Sequence, residues 1–223
     1  FVYTLPADDY MVGMSIQPHN MQLALAQNMS SIELQWNQTI PQQEKGRKFE
    51  EKYAQLQYMF VGGDIEKLSE VKADRAKESA RLKWIAYKDQ FFSTVLIADD
   101  AFESTQMEST PLNALSRYIK EYNTTTSLPL DITGKKTTDL HYYLGPNHYN
   151  TLKAYDKDVE KADRLHLNEL VPLGWKIVSW INKALVIPMF NLFTSWGLHI
   201  GIVILLMTLV IKLIILPFVF ASY

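Results

Sequence analysis

Lys212 is the only Lys, Arg, Asp or Glu in an apolar run covering residues 198–220, LHIGIVILLMTLVIKLIILPFVF. The chemistry open to such a residue is electrostatic. Twenty-three residues at a helical rise of about 1.5 Å reach roughly 34 Å, against a hydrocarbon core of about 30 Å, so the run is expected to span a bilayer. A lysine at mid-helix costs about 2.5–3.5 kcal/mol on insertion scales, and a spanning helix that keeps one has a use or a partner for it. Lys212 lies eight positions before Phe220, roughly 12 Å inside that end. A lysine stem lifts its ammonium about half that distance. Two readings stand: snorkelling helped by bilayer thinning or water entry, and a hydrated or paired functional cation.

Few other residues suggest chemistry. His141 and Asp139 would share one strand face, with His148 nearby. A metal site needs three or four convergent ligands, and strand histidines are more often surface or hydrogen-bonded residues, so no metal site and no catalytic residue is expected. The chain has no cysteine, which excludes disulfides, thiolate nucleophiles and cysteine-based zinc sites. Asn28, Asn37 and Asn123 begin glycosylation-like triplets; that pattern is short and common, and all three are read as loop and strand residues.

The charge is divided unevenly. The chain carries 22 basic and 24 acidic residues, yet from Val171 onward there are only Lys176, Lys183 and Lys212 and no acid. The first 170 residues have an ordinary balance with no nucleic-acid footprint. Three of the five tryptophans, Trp175, Trp180 and Trp196, fall in the short tail, where amphipathic rings favour the headgroup layer.

Alternation with period two marks half-buried strands at Val12, Met14 and Ile16, at Ile32, Leu34 and Trp36, and at Ala54, Leu56, Tyr58 and Phe60. Runs 82–87, 91–97 and 140–144 are aromatic and β-branched, with glycine-rich breaks between such segments. So many short strands without long apolar helices between them predict a sandwich. Stretches 42–52 and 70–81 are polar with mixed charge and read as surface helix or solvated connection. A short helix is expected from Pro146 to about residue 156, then a charged linker. Between residues 173 and 187 the sequence GWKIVSWINKALVI has helical periodicity with Lys176, Ser179, Asn182 and Lys183 on one side. Such a helix is expected to lie in the membrane surface until Pro188 breaks it, with Trp175, Lys176, Trp180, Lys183 and Trp196 as interfacial anchors. The chain opens at Phe1 without a methionine or signal peptide and reads as part of a longer protein.

The order of these pieces, a β-rich domain, YYLGP at 142–146, GWKIVSWINKALVIPMFNLF and then WGLHIGIVILLMTLVIKLIILPF, resembles the YidC/Oxa1/Alb3 membrane protein insertases. The likeness is to the Gram-negative form, most of all Bacteroidetes members, and LKWIAYKDQFFSTVLIADD at 82–100 is similar to that family's large periplasmic domain. The resemblance implies an all-β supersandwich over 1–156, a linker over 157–170, an interfacial helix over 171–188 and the first core transmembrane helix over 196–220. It implies a bacterial inner-membrane location, the large domain in the periplasm and the C-terminal end toward the cytoplasm. The family's first anchor and later core helices would lie outside this chain.

The same resemblance places Lys212 on the family's groove cation, five residues before the motif proline Pro217. Many relatives carry arginine there; lysine keeps the charge without the planar fork that grips carboxylates. The implied activity is physical rather than enzymatic, with no cofactor: a hydrated groove that lowers the cost of moving a polar client segment into the bilayer. Implied partners are nascent membrane proteins, the Sec translocon, the lipid bilayer, and the ribosome through regions absent here. The alternative is a membrane-anchored carbohydrate-binding or epimerase-like sandwich, and the β domain could also serve as a docking module.

Overall fold

The alternating runs become antiparallel strands. The computed structural model describes residues 1–174 and 176–221, which fall into two units divided after Val171. The first contains β1 (Val2–Thr4), β2 (Met11–Ile16), β3 (Ser31–Pro41), α1 (Arg47–Tyr53), β4 (Gln55–Phe60), β5 (Ile65–Lys67), β6 (Asp74–Glu78), β7 (Leu82–Lys88), β8 (Phe92–Pro111), β9 (Tyr118–Pro129), β10 (Thr138–Pro146) and α2 (Tyr149–Ala154). One sheet has the order β1-β2-β10-β8-β7-β4-β5. In the other, β9 sits between β3 and β8, and β6 takes the far edge of β8.

Strand β8 joins the two. Its first half pairs with β7 and β10, as in Ile85↔Leu96 and Tyr142↔Leu96, and its second half pairs with β6 and β9. Between them the register jumps from Trp84↔Ile97 to Leu82↔Phe102, an irregularity that lets one strand turn from one layer into the next.

The side-chain period of a strand then sorts residues between two cores. Ile85 and Tyr87 of β7 face the interior between the sheets, with Leu56, Tyr58, Leu96, Met107, Ile119 and Tyr122. Trp84 and Ala86 point to the opposite face, where they meet Val95, Ile97, Tyr143, Leu152, Leu167 and Leu170. Both faces of β7 are therefore buried, which explains the unbroken apolar run Trp84–Tyr87 at its centre. The sandwich architecture expected from the alternation is the one found.

Three sequence expectations need correction. Within 70–81, residues Asp74–Glu78 form β6, a charged strand at a sheet edge. Charge suits that position because it discourages pairing with another chain. The stretch 157–170, expected as a linker, lies inside the first unit: Lys161–Asp163 and Leu167–Leu170 form 3₁₀ turns, Leu167 and Leu170 are buried, and the Trp84 indole donates to the Leu165 carbonyl at 2.7 Å. The helix around Pro188 is the third.

In the second unit the chain forms α3 (Lys176–Ile181), a π turn (Asn182–Val186) and α4 (Ile187–Ser195) without interruption, then α5 (Ile200–Ala221). Pro188 does not break the helix. A proline ring clashes with the carbonyl four residues earlier; widening to i→i+5 bonding, in which the Ile187 amide donates to the Asn182 carbonyl, makes room for it. The helix ends instead at Trp196, where Gly197 takes φ 71° and its amide donates to the Thr194 carbonyl at 3.0 Å. A left-handed residue just past the last turn is a usual helix stop and favours glycine.

Candidate functional site

The α4–α5 hairpin positions Lys212. Met189 and Phe193 of α4, one turn apart, bury themselves against Val203, with Leu206, Met207, Val210 and Ile211 of α5 alongside. At about 100° per residue those α5 positions lie within roughly 80° of Val203, and they form the seam. Lys212 comes nine positions after Val203, which places it about 180° away. The structure accordingly leaves Lys212 exposed, on the face turned away from α4.

Thr208 lies one turn before Lys212 on the same face, and its hydroxyl donates to the Ile204 carbonyl at 2.8 Å. Sequence reasoning passed over it because a single threonine in an apolar helix leaves no periodic signal. Pro217 lies inside α5. Lacking an N–H, it leaves the Leu213 carbonyl, next to Lys212, without its i+4 donor. A cation, a hydroxyl and a helical carbonyl that lacks its i+4 donor thus occur within two turns of a helix whose segment Ile200–Pro217 is long and apolar enough to cross a membrane.

The expected anchors are distributed unevenly. Trp180 is 70% exposed and Trp196 59% exposed, the latter tilted against Phe193 with ring centroids 5.3 Å apart. Lys183 is exposed. Asn182, read as part of the polar stripe, turns its amide back to the Leu173 carbonyl at 3.0 Å. Trp175 lies outside the described residues, and of Lys176 only the backbone, opening α3, is described.

The histidines do not converge. His141 Nδ1 lies 3.0 Å from Asp99 Oδ1, an exposed pair, while His148 Nδ1 meets the Thr151 hydroxyl at 2.8 Å. Asp139 accepts hydrogen bonds from Ser15 and Thr137, which hold its carboxyl below the usual carboxylate range. A basin of about 510 Å³ on β2 and β10 carries Asp9, Asp99, Asp139 and His141 on its lining. Among the described residues no three His, Cys, Asp or Glu side chains group to hold a metal.

A family model described as the YidC periplasmic domain matches residues 1–188. A protein named membrane protein insertase YidC from Azobacteroides pseudotrichonymphae is 47% identical over the whole chain, which corresponds to 36% of that relative. Proteins of the same name from Parabacteroides distasonis and Bacteroides fragilis are 45% and 42% identical, again over the whole chain and over 35% and 36% of their own length. The chain therefore spans about a third of the curated relatives it matches.

Proposed function

The chain belongs to the YidC insertase family, and from that premise we propose that it supplies the periplasmic domain and the first core helix of an inner-membrane machine that inserts and helps fold membrane proteins. The observation that carries this reading is the position of Lys212: a single cation on a bilayer-length helix, on the face opposite the helix's own packing partner. A cation held there with water around it gives an acidic or polar client segment a favourable partner inside the membrane, while the apolar remainder of α5 leaves the client's hydrophobic helix free to enter lipid.

In this account the sandwich lies in the periplasm and α5 runs toward the cytoplasm. The helix α3–α4 rests at the membrane surface through Trp180, Lys183 and Trp196, with Trp175 and Lys176 extending the belt. Clients are nascent membrane proteins. The machine acts alone or with the Sec translocon, and the ribosome contacts parts of the full-length protein beyond this chain. The role is that of a chaperone rather than an enzyme, and it requires no cofactor. The reading of the sandwich as a sugar-acting enzyme has less support, since His141, Asp139 and His148 each find separate local partners.

The test is Lys212→Ala in the full-length parent after depletion of the native protein, scored by insertion of small single-span clients. A charge-assisted contact is worth about 1.5–3 kcal/mol, so insertion should fall by roughly tenfold or more. Lys212→Arg should retain it. Unchanged insertion by the alanine variant would remove Lys212 from the mechanism.

A further inference from the structure

The first unit carries a second cationic feature. Beside α2 lies a basin of about 480 Å³ whose lining includes Lys153, Lys157, Arg164, His166, Asp156 and Asn168. Three fixed positive charges surround one carboxylate, and that carboxylate is already committed. Asp156 accepts the backbone amides of Leu165 and His166 at 2.6 and 2.9 Å through its two oxygens. Among the described residues, Lys157 and His166 have no side-chain partner, Lys153 has only the Tyr149 ring at 5.9 Å, and Arg164 spends only Nε, on the Val159 carbonyl at 3.3 Å. Both terminal nitrogens of the Arg164 guanidinium remain available. The neighbouring acids Asp158, Glu160 and Asp163 lie outside the lining.

The cradle is fixed to the core rather than carried on a loose loop. The Asp156 bonds and the Trp84 indole, which donates to the Leu165 carbonyl at 2.7 Å, hold the 164–166 corner, and Leu167 is fully buried immediately after it. His166 itself adopts φ 51°, a left-handed conformation that costs a non-glycine residue about 1 kcal/mol or more and persists where surrounding bonds enforce it.

We propose that Lys153, Lys157, Arg164 and His166 form a binding site for the phosphate of an anionic phospholipid headgroup. A guanidinium fork and two ammonium groups around an open basin match the non-bridging oxygens of a phosphodiester. The open mouth admits a group that stays attached to a surface. A zwitterionic headgroup would bring its own cation against the three already present, which selects for net negative lipid. Asn168 precedes Lys176, the start of the apolar helices, by eight residues of chain, so the covalent tether reaches about 29 Å at most. This keeps the basin within reach of the bilayer surface on which α3 is proposed to rest, and the inference depends on that placement.

The experiment uses the full chain in a neutral detergent and follows the His166 ring resonances by NMR, with His19 as a remote control. The probes are dihexanoylphosphatidylglycerol, dihexanoylphosphatidylcholine and inorganic phosphate. The glycerol lipid should shift His166 saturably, with a half-saturation at least about tenfold lower than either of the others, and K157Q/R164Q should raise that value about tenfold with His19 unmoved. Equal effectiveness of inorganic phosphate would make this a free-phosphate site. Equal effectiveness of the choline lipid would reduce it to surface partitioning, and either result, or the absence of a shift, overturns the proposal. Protease protection of α5 in vesicles reads the membrane placement separately. A chain that inserts but shows no His166 shift refutes the lipid site alone.

Discussion

Two buried lysines give the sandwich an unusual pH dependence. Lys88 and Lys120 are each 1% exposed, and both ammonium groups serve as donors at the C-terminal end of α1: Lys88 to the Tyr53 carbonyl at 3.0 Å, Lys120 to the Ala54 carbonyl and to the Glu70 carbonyl at 2.7 Å. Burial pushes both side chains down to about 8, against the upward pull of Glu70 on both, of Asp89 on Lys88 and of Glu51 on Lys120; Lys67 adds to the depression of Lys88, and Lys88 to that of Lys120. In the unfolded chain both keep their protons to about 10.5. Between these values the unfolded state binds more protons than the folded one, so stability rises with pH. Each lysine contributes at most about 1.4 kcal/mol per pH unit, or roughly 2 kcal/mol between pH 8 and 9.5 and up to about 4 kcal/mol for the pair. Near pH 10 the trend reverses, because burial holds the phenols of Tyr58, Tyr87, Tyr122, Tyr143 and Tyr155 protonated in the fold while the unfolded chain ionises. Urea unfolding of the full chain in detergent, followed by tryptophan fluorescence, should show a stability maximum between about pH 9 and 10. The double variant K88M/K120M should lose the rise. A flat or falling profile from pH 8 to 9.5, or a rise that survives in the double variant, would refute the assignment.

Two further substitutions test how the sandwich is held. Arg47 opens α1 and donates to three carbonyls of the turn between β8 and β9, those of Leu112, Asn113 and Ser116, and to that of Tyr118 at the start of β9; Arg47→Lys loses the fork, should cost about 2 kcal/mol in urea unfolding, and should accelerate amide exchange across residues 112–118. Trp84→Phe removes the bond to the Leu165 carbonyl and should cost about 1–3 kcal/mol by the same measurement, with increased exchange at residues 165 and 166.

How much of this was legible in the sequence depended on what each strand hides. Strands β3, β4 and β7 announce themselves because their inward positions are Ile, Leu, Trp and Tyr. Strand β9 does not. Its inward positions include Thr124 and Thr126, each 1% exposed, which are satisfied by the Tyr87 hydroxyl at 2.6 Å and the Thr105 hydroxyl at 2.7 Å, so hydropathy reports a polar segment where the core is. The second half of β8 and the edge strand β6 are missed for a related reason: the inward positions of that half of β8 include Thr105 and Ser109 beside Met107, and β6 half-buries Asp74, Ala76 and Glu78 while Arg75 and Lys77 stay exposed. The rule that proline ends helices failed at Pro188 because a π turn absorbs the ring, a choice of bonding that composition does not encode.

Function divided along the same line. Lys212 stands out in the sequence as a lone cation, but the face it occupies follows only from Met189 and Phe193 packing on the opposite side of α5. The basic basin was hidden because Lys153, Lys157, Lys161 and Arg164 alternate with Asp156, Asp158, Glu160 and Asp163 in the chain. Folding separates them by spending Asp156 on backbone amides and leaving the other three acids off the lining.

Site-specific cross-linking tests the central claim most directly. A photoreactive side chain is placed at position 212, at 208 or at 206 of the full-length parent, with a single-span client stalled during insertion. Position 206 lies in the seam with α4, whereas 208 and 212 share the opposite face. The account predicts client adducts at 212 and 208 and little or none at 206. Adducts that favour 206, or that form equally at all three positions, would contradict a client path along the Lys212 face.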